Sequence, residues 1–185
     1  MRKFLSLLLV LLLVQIPVLS EDVIPSIPTR PEQFAHVFDF ADVISARDEA
    51  QIASYCDDLN KMTKAAVVCV TVNSLEGMGI RDFAFELMNS WGIGDAERND
   101  GVLLLLAAGD REIALEVGSG LDRLLDSDTS DAIFDICIHS FSKGDYSNGM
   151  RELALTTCLT LIKKQTLLFD DPEIVRAVAD IGSSR

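Results

Sequence analysis

The sequence predicts an α/β fold, a three-layer α/β/α sandwich around a mixed central sheet that contains a hairpin. Three observations carry this. The runs "AAVVCVTVN" (65–73) and "GVLLLLA" (101–107) are apolar at successive positions, as strands covered on both faces must be. Apolar residues recur at helical spacing before, between and after these runs. "GDREIALEVG" (109–118) opens on a tight-turn pair and then alternates polar with apolar, which predicts the returning arm of a hairpin with one wetter face. Strands alternating with helices, plus one hairpin, fit a sheet with helices on both sides.

The elements follow in order. Residues 1–20 have a basic head (Arg2, Lys3), a thirteen-residue apolar stretch (Phe4 to Ile16), Pro17 and the small ending "VLS". That is the layout of a signal peptide, with a core too short to span a bilayer comfortably. Residues 21–35 carry Pro25, Pro28 and Pro31 without an apolar period, and are expected to form an extended leader. The folded domain is placed at 36–165, opening on "HVFDFADVIS". Ser45 and Asp48 have the spacing that caps a first helix, with Ile52, Cys56, Leu59 and Met62 facing the core. A second helix is expected over 81–91 on Phe83, Leu87 and Trp91.

Asp126, Asp128 or Thr129 suits the cap of a third helix, whose apolar side is Ile133, Phe134, Ile136, Cys137 and Phe141. Residues 146–164 form the fourth, with Leu153, Leu155, Cys158, Leu159 and Ile162 inward. Residues 166–185 are read as a short helix and tail, capped by Asp171 with Pro172 at its first position.

Charge narrows the function. Without residues 1–20 the chain keeps 14 basic against 29 acidic side chains, a balance of −15. Nucleic acid and anionic lipid surfaces both demand clustered Lys and Arg, so neither is an expected partner. Converging carboxylates instead favour hard divalent cations. The cysteines Cys56, Cys69, Cys137 and Cys158 show no zinc-site spacing. In an exported chain they permit disulfides, with three connectivities open, or serve as buried thiols in the apolar patterns that surround them. "GSG" at 118–120 and "WGIG" at 91–94 match neither a phosphate loop nor a dinucleotide fingerprint, and their expected task is tight backbone turning.

The acidic stretches are Asp39 and Asp42 before the first helix, Asp95, Glu97, Asn99 and Asp100 before the central strand, and Asp122, Asp126 and Asp128 after the hairpin. If the sheet gathers these loops at one rim, Asp39, Asn99, Asp100, Asp126 and Asp128 form the expected metal-ligand set, with Asp100 and Asp39 at its centre. On spacing alone, turn capping is the favoured reading of Asp39 and Asp100.

The segments "FDFADVIS", "SWGIGDAERNDGVLLLLA", "REIALEVGSGL" and "GDYSNGM" resemble, in order and spacing, the TPM domain family over residues 38–164. The resemblance implies an α/β sandwich in an exported or membrane-anchored protein. It also implies binding of calcium or magnesium and, for some members, acid phosphatase activity, including chloroplast-lumen proteins linked to photosystem maintenance. By position, the family's opening Asp corresponds to Asp39 and its Asn-Asp-Gly acid to Asp100. This chain departs at "GLDRLLDSD", where Asp122 stands for the family's Glu and Ser127 for its Asp, flanked by Asp126 and Asp128.

The expected protein is therefore secreted or periplasmic, without a transmembrane helix in the mature chain. It binds Ca2+ or Mg2+ and assists an extracytoplasmic protein partner or an envelope process. A metal-dependent acid phosphatase acting on phosphorylated small molecules or proteins is the alternative. No catalytic residue is assigned, because only Arg98, Arg111 and Arg123 offer charge to phosphoryl oxygens and no histidine nucleophile motif exists.

Overall fold

The computed structural model describes residues 26–33 and 35–169. The expected signal peptide and the helix capped at Asp171 lie outside the described residues. Four strands, β1 (Val37–Asp39), β2 (Ala66–Val72), β3 (Gly101–Ala107) and β4 (Glu112–Val117), form one sheet in that order. β1, β2 and β3 are parallel and β4 is antiparallel to β3, so the sheet is mixed and contains the expected hairpin. The helices are α1 (Ala46–Thr63), α2 (Ile80–Trp91), α3 (Ser127–Ser142) and α4 (Tyr146–Phe169).

Every residue of β3 is buried because both of its faces are covered. Val102, Leu104 and Leu106 meet α1, α3 and α4, together with Val67 and Cys69 of β2. Leu103, Leu105 and Ala107 meet α2 with Val68, Val70 and Val72. The fold is thus the three-layer α/β/α sandwich, with three of the described helices on one face and one on the other. The steps from β1 to β2 and from β2 to β3 run the same way across the sheet, yet α1 and α2 lie on opposite faces. One of the two crossovers is therefore left-handed, an exception among parallel connections.

Local chemistry sets the element ends. The Ser45 hydroxyl caps α1 by accepting from the Asp48 amide at 3.2 Å, and Lys64 closes the helix in the left-handed region (φ 68°). Asp126, among the three expected candidates, caps α3 by accepting from the Thr129 amide at 3.0 Å. Two apolar assignments differ from expectation. Ile136 is 57% exposed because α3 buries the narrower stripe Ile133, Cys137 and Phe141. On α4, Leu155 and Leu159 are only half-buried, and the inward face is Met150, Leu153, Ala154, Cys158, Leu161 and Ile162.

The α4 core face also holds Thr157, whose hydroxyl is the one buried side-chain polar atom without a partner among the described residues. Leaving such a hydroxyl dry costs about 1 kcal/mol or more. Thr157→Val, which keeps the shape and removes the oxygen, is expected to stabilise the fold by about 1 kcal/mol. A urea titration checks this, since a lowered midpoint would contradict the burial argument.

Residues 26–33 form no strand or helix but dock on the α2 side of the sheet. The Trp91 indole donates to the Pro28 carbonyl at 2.7 Å, Arg30 donates to the Trp91 carbonyl at 2.6 Å, and Ile27 packs against the α2-side core. This part of the expected leader is thus held against the domain. No helix among the described residues is long and apolar enough to cross a membrane.

Candidate functional site

Three chain segments meet at the rim where β2 and β3 begin. They are the loop from α2 into β3 (92–100), the end of β4, and the 3-10 turn Ser119–Leu121 that follows it. Their backbones touch. The Gly118 amide donates to the Gly101 carbonyl at 2.8 Å and the Gly120 amide to the Asn99 carbonyl at 3.0 Å. A Cβ added at Gly101 would lie 2.0 Å from the Ile93 carbonyl oxygen, one at Gly118 2.2 Å from that of Asn99, and one at Gly120 1.9 Å from that of Arg98. Gly94 adds a left-handed turn at φ +95°. Gly94 of "WGIG" and the glycines of "NDG" and "GSG" are one lock, in which crossing backbones leave no room for side chains.

The acidic residues of "DAERNDG" organise this lock. Asp100 is 6% exposed, and both of its oxygens are engaged. Oδ1 accepts from the Asp95 amide at 2.9 Å, and Oδ2 accepts from Arg98 Nε at 2.6 Å. Asp95 Oδ1 accepts from the Glu97 and Arg98 amides, both at 3.0 Å. These two amide bonds, with Arg98 nearby, hold the Asp95 carboxyl below its ordinary range, and the bond to Asp100 raises the Arg98 guanidinium. The loop supplies its own counter-charge.

Asp39 sits elsewhere. It ends β1 opposite Thr71, which is level with Leu106 of β3, whereas Asp100 precedes Gly101. About 20 Å of strand separates the two carboxylates. The expected convergence of Asp39 and Asp100 at one rim is corrected accordingly: in parallel strands, a residue leaving one strand and a residue entering the next occupy opposite ends. Asp39 accepts from the Thr71 hydroxyl through Oδ1 and from the Ile44 amide through Oδ2 at 2.7 Å, organising the β1–α1 turn. Asp126 and Asp128 line a separate groove between α3 and α4. Arg111 lies in the hairpin turn, at the Asp39 end of the sheet.

A different acidic group does assemble. A cleft of ≈ 430 Å³ beside the glycine lock is lined by Asp95, Asn99, Glu116 and Asp122, with Phe85 and Met88 of α2 on its apolar wall. Of the five expected ligands only Asn99, held at φ 49°, belongs to it. The carboxylates of Glu116 and Asp122 accept no hydrogen bond among the described residues. Burial pushes the Glu116 carboxyl up, Arg81 opposes this, and the Asp122 charge adds to it. Glu116 escapes sequence reading because it is one of the polar positions of an edge strand. Its signal is the alternation of β4, which turns Glu116 away from the face of Ile113, Leu115 and Val117, combined with antiparallel pairing that brings it level with Leu103. Among the described residues no three His, Cys, Asp or Glu side chains are placed as a ready-made metal shell.

On the other side of the 92–95 loop, Arg30, Lys64 and Arg98 line a pocket of ≈ 250 Å³ that shares Gly92, Ile93, Gly94 and Asp95 with the acidic cleft. In a strongly acidic chain this puts three cations beside three carboxylates, with one loop between them.

These features define a small three-layer α/β/α domain whose paired clefts flank a glycine-locked rim. The chain belongs to the TPM domain family, whose model matches residues 37–157. It is similar in structure to the N-terminal domain of a Porphyromonas gingivalis protein, with 27% identity, a TM-score of 0.65, and coverage of 70% of this chain and 83% of that one. The N-terminal domain of a Corynebacterium glutamicum protein matches at 20% identity and a TM-score of 0.56, over 71% and 83% of the two chains. The BA42 protein of the psychrophilic bacterium Bizionia argentinensis matches at 17% and 0.57, over 74% and 87%. A search of curated proteins finds no match.

Proposed function

We propose that this chain is an exported TPM module that binds a hydrated divalent cation, Ca2+ or Mg2+, in the acidic cleft and presents that cleft to a protein partner. The observation that carries the reading is the approach of Glu116 and Asp122, two carboxylates without hydrogen-bonding partners among the described residues, beside Asp95 and Asn99. Such oxygens are the ligands that calcium and magnesium prefer, and a cation with so few side chains to meet it keeps several waters. It would remove the repulsion between Glu116 and Asp122. Phe85, 57% exposed on the cleft wall, offers a partner an apolar contact. The signal-peptide layout of residues 1–20 supports the exported location.

The test is a thermal melt after chelation, repeated in millimolar calcium and then magnesium. A cation bound only by the folded state, at a hundredfold excess over its Kd, stabilises by about 2.7 kcal/mol and raises Tm by several degrees. Glu116→Gln and Asp122→Asn are each expected to shrink the shift, and the double variant to abolish it. Because the Glu116 carboxyl is raised, protons compete for it earlier on acidification, so the shift is expected to fall at a higher pH than an ordinary glutamate would set. A double variant that responds like the wild type overturns the proposal.

The second reading, a metal-dependent acid phosphatase, is favoured by the cationic pocket across the shared loop. Arg30, Lys64 and Arg98 offer charge to phosphoryl oxygens next to a cation in the cleft. Hydrolysis of p-nitrophenyl phosphate by the cation-loaded protein, reduced at least tenfold by Lys64→Ala, would establish it. Absence of turnover at saturating cation leaves the binding module.

A further inference from the structure

The pocket of ≈ 250 Å³ behind the 92–95 loop has a mixed lining. Phe38, Ala66, Val68 and Ile93 make part of it apolar, and Phe38 meets the Trp91 indole edge-on at 4.8 Å. Arg30, Lys64 and Arg98 supply cations against a single lining carboxylate, Asp95, among the described residues.

The three cations are held differently. Arg98 is paired with Asp100 at 2.6 Å and with Asp95 at 3.4 Å, so its charge is answered within the loop. Arg30 donates to the Trp91 carbonyl at 2.6 Å, which anchors the leader at the pocket. The Lys64 ammonium has neither a hydrogen bond nor an ion pair among the described residues. A lysine just past a helix commonly serves the last carbonyls. Here the Asn60 amide already bonds the Lys64 and Ala65 carbonyls, at 3.4 and 3.0 Å. Lys64 also stands at φ 68°, where glycine or asparagine costs less.

We propose that this pocket binds a small apolar monocarboxylate, an acid of benzoate size, with Lys64 and Arg30 on the carboxylate and Phe38 and Val68 against the apolar body. The volume is smaller than the usual site for a drug-sized ligand. With Arg98 paired, Lys64 offers charge for one carboxylate rather than for a doubly charged phosphate. The apolar lining would leave phosphate oxygens without partners, whereas an aromatic or branched body gains by burial there. Arg30 lies outside residues 37–157, which match the family, so the family domain alone would lack one of the two cations. The assignment goes beyond the phosphatase reading, which asks of these cations only that they face phosphoryl oxygens beside a metal ion.

Trp91, the single tryptophan of the chain, is among the lining residues, and its fluorescence reports binding. The full chain, stripped of metal and freed of chelator, is titrated with benzoate, benzyl alcohol, acetate and inorganic phosphate. Benzoate is expected to give a saturable change, and each of the others to bind at least about tenfold more weakly. Benzyl alcohol lacks the charge, acetate lacks the apolar body, and phosphate lacks that body and carries excess charge. Lys64→Asn suits the left-handed backbone and removes the ammonium, and it is expected to weaken benzoate about tenfold. No saturable benzoate signal, benzyl alcohol binding as tightly as benzoate, or an unchanged benzoate affinity in Lys64→Asn overturns the proposal. Phosphate or acetate binding as tightly as benzoate overturns it as well. Neither a metal ion nor turnover is read, so a failure here is distinct from a failure of either function proposed above.

Discussion

Replacing Gly120 with alanine is expected to destabilise the fold by about 3 kcal/mol, although the residue is exposed and an ordinary surface substitution changes stability by less than about 0.5 kcal/mol. The added Cβ would stand 1.9 Å from the Arg98 carbonyl oxygen and 3.0 Å from that of Asn99. Both obstacles are backbone, so no side chain can swing aside. Relief requires the 3-10 turn to separate from the 92–100 loop, which breaks the Gly120–Asn99 hydrogen bond and opens the wall of the acidic cleft. For a domain of this size the loss corresponds to a fall in Tm of roughly 6–12 °C. Ser119→Ala, one position away and also exposed, is the control and should melt close to the wild type. Equal melts for the two variants would show that the turn does not press on the loop.

The second large effect is expected at Asp100. Asp100→Ala removes a buried carboxylate and strands the Asp95 amide, at a cost of about 2–3 kcal/mol. Asp100→Asn keeps an acceptor for that amide and forfeits the charge that meets Arg98, so its loss is smaller. Denaturant titrations of the three proteins in chelator provide the ranking. The same ranking in calcium, with an undiminished cation shift in both variants, is expected if Asp100 serves the loop. A cation shift lost with Asp100 alone would return this carboxylate to the ligand set.

The two effects mark how far residue patterns reach. Periodicity of two in β4, continuous apolarity in β2 and β3, and steps of three and four in α1 and α2 each have a single local solution, so the elements and the layering are legible directly. So is the capping of α1 by Ser45, a matter of three residues. The stripe on α3 is less so, because Ile136 and Ile133 are both apolar and only the placement of α4 selects which is covered.

Carboxylates in the chain advertise charge but not direction. Whether Asp39 and Asp100 meet depends on strand polarity: β1 is left where β3 ends, and the two residues stand at opposite rims. Asp100 is chemically indistinguishable from a metal ligand until Arg98 and the Asp95 amide are seen to occupy both its oxygens. Glu116 acquires a site only because an antiparallel strand returns it to the beginning of β3.

The sequence by itself determined the elements, their order, the two-sided burial of β2 and β3, and the motif glycines that mark the TPM domain family. These depend on interactions within a few residues and on local periodicity. The tertiary structure alone decided which carboxylates share a cleft and that one of the two crossovers runs left-handed. Each of these joins residues tens of positions apart, and their separation in space follows from strand direction and helix placement, which no local pattern encodes.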